Sequence, residues 1–182
     1  MAKDMSATAG AKPEKKKQFR SLLMDLVSFL LKVAIFAVVM IILFGYVFGL
    51  TRTASIGMQP AFRDGDLVLY YRITDSFSAE EVVVVRYQGK ELLERVVAVA
   101  GDEVDITKNG LVINGALVQE SYARGETTRF EEGVTFPLTV PEGQVFVLGD
   151  NREHVTDSRI FGCVDKEDIY GRVIGLFRRR NL

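Results

Sequence analysis

VVVVRYQGKELLERVVAVAGD, residues 82–102, decides the fold class. VVVVRY (82–87) and ERVVAVA (94–100) are dense in β-branched residues, and Gln88-Gly89-Lys90 between them reads as a hairpin turn. The same pattern recurs outward. LVLYYR (67–72) precedes it, and QVFVLGD (144–150) and GRVIGLFR (171–178) follow. Asn109-Gly110 and Asn114-Gly115 flank the short strand LVI (111–113), and both are strong two-residue hairpin signals. Within 51–182 no helical pattern reaches ten residues; only a short turn near Lys166–Tyr170 is expected. Residues 120–136, ESYARGETTRFEEGVTF, are polar and weakly periodic, and predict an exposed loop or a long hairpin tip. The body is therefore expected to be mostly β, built of antiparallel sheets or a barrel.

Upstream, Val33–Leu50 (VAIFAVVMIILFGYVFGL) is eighteen residues without a charge. As a helix it would be roughly 27 Å long, close to the hydrocarbon thickness of a bilayer. Ser21–Lys32 is also largely apolar, with Asp25 and Lys32 as its charges, so a transmembrane anchor is expected over 21–50. Residues 1–20 carry six Lys/Arg against two Asp/Glu and read as a basic tail. That charge bias predicts a cytoplasmic N-terminus, a single pass through the plasma membrane, and an extracellular domain over 51–182. The uncharged run is longer than the core of a cleaved signal peptide, and no clear A-x-A site follows it.

Composition excludes several function classes. Residues 51–182 hold sixteen Lys/Arg against twenty-one Asp/Glu, so the folded domain lacks the basic face of a nucleic-acid binder. One cysteine, Cys163, cannot form an internal disulfide, and with the one histidine, His154, it offers no zinc-cluster spacing. A Ser-His-Asp or Cys-His hydrolase would have to use His154. No metal and no cofactor is expected, and any catalysis falls to Ser, Thr, Lys, Asp or Glu.

Three stretches carry the remaining information: Ser55-Ile56-Gly57-Met58-Gln59-Pro60, Arg95-Val96-Val97 running to Gly101-Asp102, and Gly149-Asp150-Asn151-Arg152 followed by Asp157-Ser158-Arg159. Alone, the last reads as a buried ion-pair and turn cluster. In this order, behind an N-terminal anchor, the three together resemble the type I signal peptidases. The shared motifs are Met-x-Pro after a membrane span, Gly65-Asp66 before a strand, Arg-Val-Val…Gly-Asp, and Gly-Asp-Asn-Arg…Asp-Ser-Arg-x-x-Gly ending at Gly162. The resemblance runs from the anchor to about Gly171. It implies an anchored antiparallel β ectodomain with a shallow substrate groove, a serine nucleophile and a lysine general base.

That chemistry is demanding. A lysine takes a proton from a serine hydroxyl only when it is itself uncharged, which requires a pKa depressed by several units from about 10.4. Laid on this sequence, the family pattern puts the nucleophile at Gly57, the base at Glu94, and the serine that orients the base at Val155. All three polar groups are missing. Ser55 stands where some members carry a serine that helps stabilise the oxyanion, and as a displaced nucleophile it would be about 6–7 Å out of place in extended chain. Lys90, four positions before Glu94, would be roughly 13 Å away along a strand. The change of Thr to Ala61 after the proline adds to a picture of drift after loss of catalysis.

A scaffold that keeps its motifs and loses its dyad is expected to bind without cutting. The groove would take an extended peptide by strand addition, lined by Met58, Pro60, Val82, Val84 and Arg95, with Glu94 attracting a basic or amide-bearing segment. Asp150, Arg152, Asp157, Ser158 and Arg159 would hold the loop. Inactive signal-peptidase-like proteins of Gram-positive bacteria act as accessory chaperones in sortase-dependent pilus assembly, and the resemblance extends to them. The implied partners are membrane lipid, secreted preproteins or pilin subunits, and sortase or an active signal peptidase. An active peptidase using Ser55, and a non-catalytic partner of an active paralogue, are the alternatives. Residues 120–136 are a candidate plug for the groove.

Overall fold

A computed structural model describes residues 12–178 apart from 55 and 75, with side chains from Lys17 onward. It divides into two units at 44/45.

The N-terminal unit is one helix, α1 (Lys12–Ile42), and the π-helical turn that follows it, Leu43–Val47, runs across the division. Pro13 stands in its first turn, where a missing N–H costs nothing. The basic residues expected as a loose tail are therefore helical from Lys12 on, while 1–11 lie outside the described residues. Phe19, Leu23, Val27, Leu31 and Ile35 are exposed, as are Leu22, Met24, Leu26 and Phe29 on the other faces. A helix apolar all round and long enough to cross a membrane is the form lipid requires. The anchor is shorter than expected at its far end. Phe48–Leu50 leave the apolar run and enter the first strand, β1 (Phe48–Arg52), because an apolar stretch with aromatic and glycine residues serves a sheet as readily as a helix.

The second unit is antiparallel β. The strands are β2 (Leu67–Tyr71), β3 (Val82–Tyr87), β4 (Lys90–Val99), β5 (Glu103–Thr107), β6 (Gly110–Ile113), β7 (Ala116–Leu117), β8 (Leu138–Thr139), β9 (Gln144–Leu148), β10 (Val164–Asp165) and β11 (Ile169–Phe177). A seven-stranded sheet has the order β1-β2-β11-β3-β4-β9-β10, and a four-stranded sheet the order β7-β6-β5-β8. The hairpin read at residues 88–89 is present. Gln88 and Gly89 have φ of 49° and 75°, the paired left-handed values that match a tight turn to strand twist. Asn114-Gly115 closes β6 onto β7 in the same way.

The unbroken valines of β3 have a physical reason. Val83 and Val85 point into one apolar cluster with Val96, Val145, Val147 and Ile169, while Val84 points the other way into a second with Met58, Phe62, Val68, Tyr70 and Leu93. A strand covered on both faces needs apolar residues at every position. Further along β4 a register shift between Val96 and Ala98 turns Val97 and Ala98 toward a third cluster with Val104, Ile106, Leu111, Phe146 and Leu148. A short helix that the sequence did not announce, α2 (Ser158–Phe161), is capped by the Asp157 side chain accepting from Arg159 N.

Candidate functional site

The three motif stretches, remote in sequence, converge at the end of β9. Gly149 follows that strand where the chain is crowded: a Cβ there would sit 2.5 Å from Val155 Cγ2 and 2.8 Å from the Gly57 carbonyl oxygen. Only glycine fits, and the clash shows that positions 57 and 155 meet across it. Asn151 N donates to Gly57 O (2.8 Å), Asn151 Nδ2 donates to Ile56 O (3.2 Å), and Asp150 N approaches Met58 Sδ at 3.4 Å. Arg95 joins the middle stretch to the last by donating through Nε and an Nη to both carboxylate oxygens of Asp150 (2.8 and 2.7 Å).

Behind this contact lies a buried charge network. Arg152 and Arg159 are 1% and 0% exposed. Arg159 donates to Asp157 (2.9 Å), to Arg152 O (2.8 Å) and to Thr128 O (3.3 Å). Arg152 donates to Gly149 O (2.9 Å), to both carboxylate oxygens of Glu120, and to Thr127 Oγ1. Ser158 Oγ accepts from Val147 N (3.0 Å), and Asp157 Oδ2 accepts from Gly149 N (3.3 Å). Through these bonds Arg152, Asp157, Ser158 and Arg159 tie the turn to β9 and to residues 120–128, and Asp150 is tied to Arg95.

Glu94 is 2% exposed. It stands opposite Val83 in the β3–β4 ladder and shares that face with Leu92 and Val96. No hydrogen bond reaches its Oε2 among the described residues. Burial pushes its carboxyl well above the usual range; Asp157 and Asp150 push the same way, and Arg159 and Arg152 oppose them. The side chain is thus enclosed inside the protein and not offered to a groove, which corrects the expectation that it attracts a basic or amide-bearing segment.

The family model for signal peptidase, peptidase S26, matches residues 26–177. The chain belongs to the peptidase S26 signal peptidase family. Signal peptidase I of Bacillus licheniformis is 32% identical over 154 residues, covering 77% of this chain and 82% of its own. Signal peptidase IB of Staphylococcus aureus strain Mu50 is 26% identical over 168 residues, covering 82% and 87%. A crystal structure of a signal peptidase I from Enterococcus faecalis V583 shares 28% identity over 55% of this chain and 98% of that one, with a TM-score of 0.47.

Gly57 and Val155 thus meet across Gly149, and Glu94 is buried on β4 within the influence of Asp150 and Asp157 of the same turn. Ser55, the substitute nucleophile, lies outside the described residues. His154, on the same turn, is exposed; Cys163 is half-buried against the third cluster, and burial pushes its thiol up.

The groove residues read from the sequence are redistributed. Val84 (0% exposed) is core, Val82 packs on the same cluster, Arg95 is spent on Asp150 and Pro60 is exposed, while Met58 (2% exposed) packs in the core and also lines a recess. Period-two alternation in a strand buried on both faces hides which side faces a groove. The open edge lies elsewhere. Strand β4 pairs with β3 from Lys90 to Arg95 but with β9 only from Arg95 to Val99. Val96 exchanges its main-chain bonds with Glu80 and Glu81 on the β3 side, so by alternation Glu91 and Leu93 direct theirs to the other side. No strand among the described residues pairs there. A narrow recess lined by Arg52, Thr53, Ala54, Met58, Glu91 and Leu93 adjoins that edge.

Residues 120–136 are not a free loop. Beyond the Arg152 and Arg159 bonds, Arg124 N donates to Asp150 O (2.6 Å) and Arg152 N donates to Arg124 O (2.9 Å). The Tyr122 ring lies 4.2 Å from the Arg95 guanidinium. The segment is strapped over the motif turn, and these anchors, 25 to 32 residues apart in sequence, carry no local signature.

Proposed function

We propose that this chain is a membrane-anchored, catalytically inert signal-peptidase-like protein that binds extended segments of secreted proteins without cleaving them. The observation that carries the reading is Glu94. The reaction implied by the family needs a neutral amine at this position to take a hydroxyl proton. Here a buried carboxyl, whose enclosure favours the protonated form, fills the place of the amine, and Gly57 supplies no hydroxyl. What survives is the means of binding: the unpaired main chain of Glu91 and Leu93 beside the recess of Ala54 and Met58, suited to strand addition. In this reading α1 spans the membrane with its basic end in the cytoplasm and the β domain outside. Pilin subunits and sortase, implied by the resemblance, are the partners to seek by co-purification.

Ala54 is exposed and lines the recess, so it tests the groove without touching the core. Ala54→Trp in the full-length protein in nanodiscs is expected to weaken binding of an extended signal-peptide segment by about tenfold or more, an indole being larger than the recess. Thermal unfolding should be unchanged. Undiminished affinity with an intact fold would move the peptide site elsewhere.

A further inference from the structure

Glu94 touches more than the missing dyad. The charged groups that act most strongly on it come from the turn after β9: Asp157, Asp150, Arg159 and Arg152. Its partner across the ladder is Val83, and its neighbours on its own face are Leu92 and Val96. Both arginines already have commitments. Nε and both Nη of Arg152 serve Gly149 O, Glu120 and Thr127; those of Arg159 serve Asp157, Arg152 O and Thr128 O. Three of those acceptors, Glu120, Thr127 and Thr128, belong to the strap over the turn. The two guanidinium groups that favour a charged Glu94 are therefore also side-chain anchors of the strap.

We infer that Glu94 is a proton-operated latch for residues 120–128. With Glu94 neutral, its carboxyl makes no claim on the arginines and the strap stays closed. With Glu94 ionised, an uncompensated carboxylate lies beside Asp150 and Asp157 in an apolar wall. It can be satisfied only by drawing Arg152 or Arg159 from the present acceptors, because a buried charge without a partner costs several kcal/mol. Arg152 leaving Glu120 and Thr127, or Arg159 leaving Thr128, loosens the strap, which is then held by the Arg124 main-chain bonds to Asp150 and Arg152 and by the Tyr122 ring against Arg95. The proton goes to solvent, and no other group need change its state.

Hydrogen–deuterium exchange of the full-length protein in lipid nanodiscs tests this, at pH 5, 7, 8 and 9.5, with each rate divided by the intrinsic rate of the unfolded amide. In the wild type, protection of amides in 119–130 relative to those of β3 is expected to fall as pH rises, by up to about tenfold per pH unit, the limit for one proton. Glu94→Gln is expected to hold protection within about twofold across the series. Glu94→Leu, which also cannot ionise, serves if the buried amide of Gln prevents folding. Tyr122, whose hydroxyl burial pushes up, stays neutral throughout and is the same in all three proteins. Equal pH dependence in wild type and variants, or none in the wild type, would overturn the latch.

Discussion

Arg152→Ala is expected to be the most damaging single change in the β domain, costing about 3–5 kcal/mol. Its guanidinium is enclosed and donates to Gly149 O, Glu120 and Thr127. Glu120 in turn has a side chain only 7% exposed, so removing the arginine strands a nearly buried carboxylate and opens a cavity in the same step. A surface pair such as Arg86–Asp168, both partners of which are well exposed, should lose under about 1 kcal/mol when Arg86 is truncated. Urea titration of the full-length protein in detergent separates the two cases. The chain has no tryptophan, so tyrosine near-ultraviolet circular dichroism is the natural signal. A loss under about 1 kcal/mol for Arg152→Ala would mean that the network is wetter and less cooperative than its geometry indicates.

The second large effect has the opposite sign. Glu94→Leu is expected to stabilise the protein by about 1–3 kcal/mol at neutral pH, since it removes a polar group with an orphaned oxygen from an apolar wall. The gain must depend on pH. The carboxyl is raised in the folded state above its ordinary value of 4.5, so the folded protein holds a proton that the unfolded chain gives up. Stability linked to Glu94 is therefore complete below about pH 4.5 and is lost progressively as pH rises toward the folded-state value. The leucine variant should be only slightly ahead at pH 4 and should lead by more at each higher pH. A constant difference would show that Glu94 titrates as it does in the unfolded chain.

These expectations rest on burial that the sequence conceals. The strands were legible because period-two and β-branched runs are local signals: VVVVRY, the turn at Gln88-Gly89 and the Asn-Gly pair before β7 appear where they are read. The charged stretch after β9 was legible as a buried ion-pair cluster because it follows an apolar strand directly. Three things were not. Phe48–Leu50 look like the end of a membrane helix because apolar periodicity does not distinguish a lipid-facing helix from a sheet. Val84 looks like a groove residue, whereas the open edge is decided by β4 outrunning its partner β9, a matter of register. Glu94 reads as a groove residue because acids seldom go inside, and its burial belongs to its place in the ladder opposite Val83, not to its neighbours in the chain.

The central claim is that the site binds and does not cut, and a cleavage assay tests it directly. The full-length protein in lipid would be given a preprotein with an Ala-x-Ala site, beside the triple variant Gly57→Ser, Glu94→Lys, Val155→Ser. No cleavage by the natural chain is the expected result, and cleavage by the triple variant would add that the groove still presents such peptides to the restored positions. Cleavage by the natural chain, abolished by Ser55→Ala, would contradict the account and make this a working peptidase.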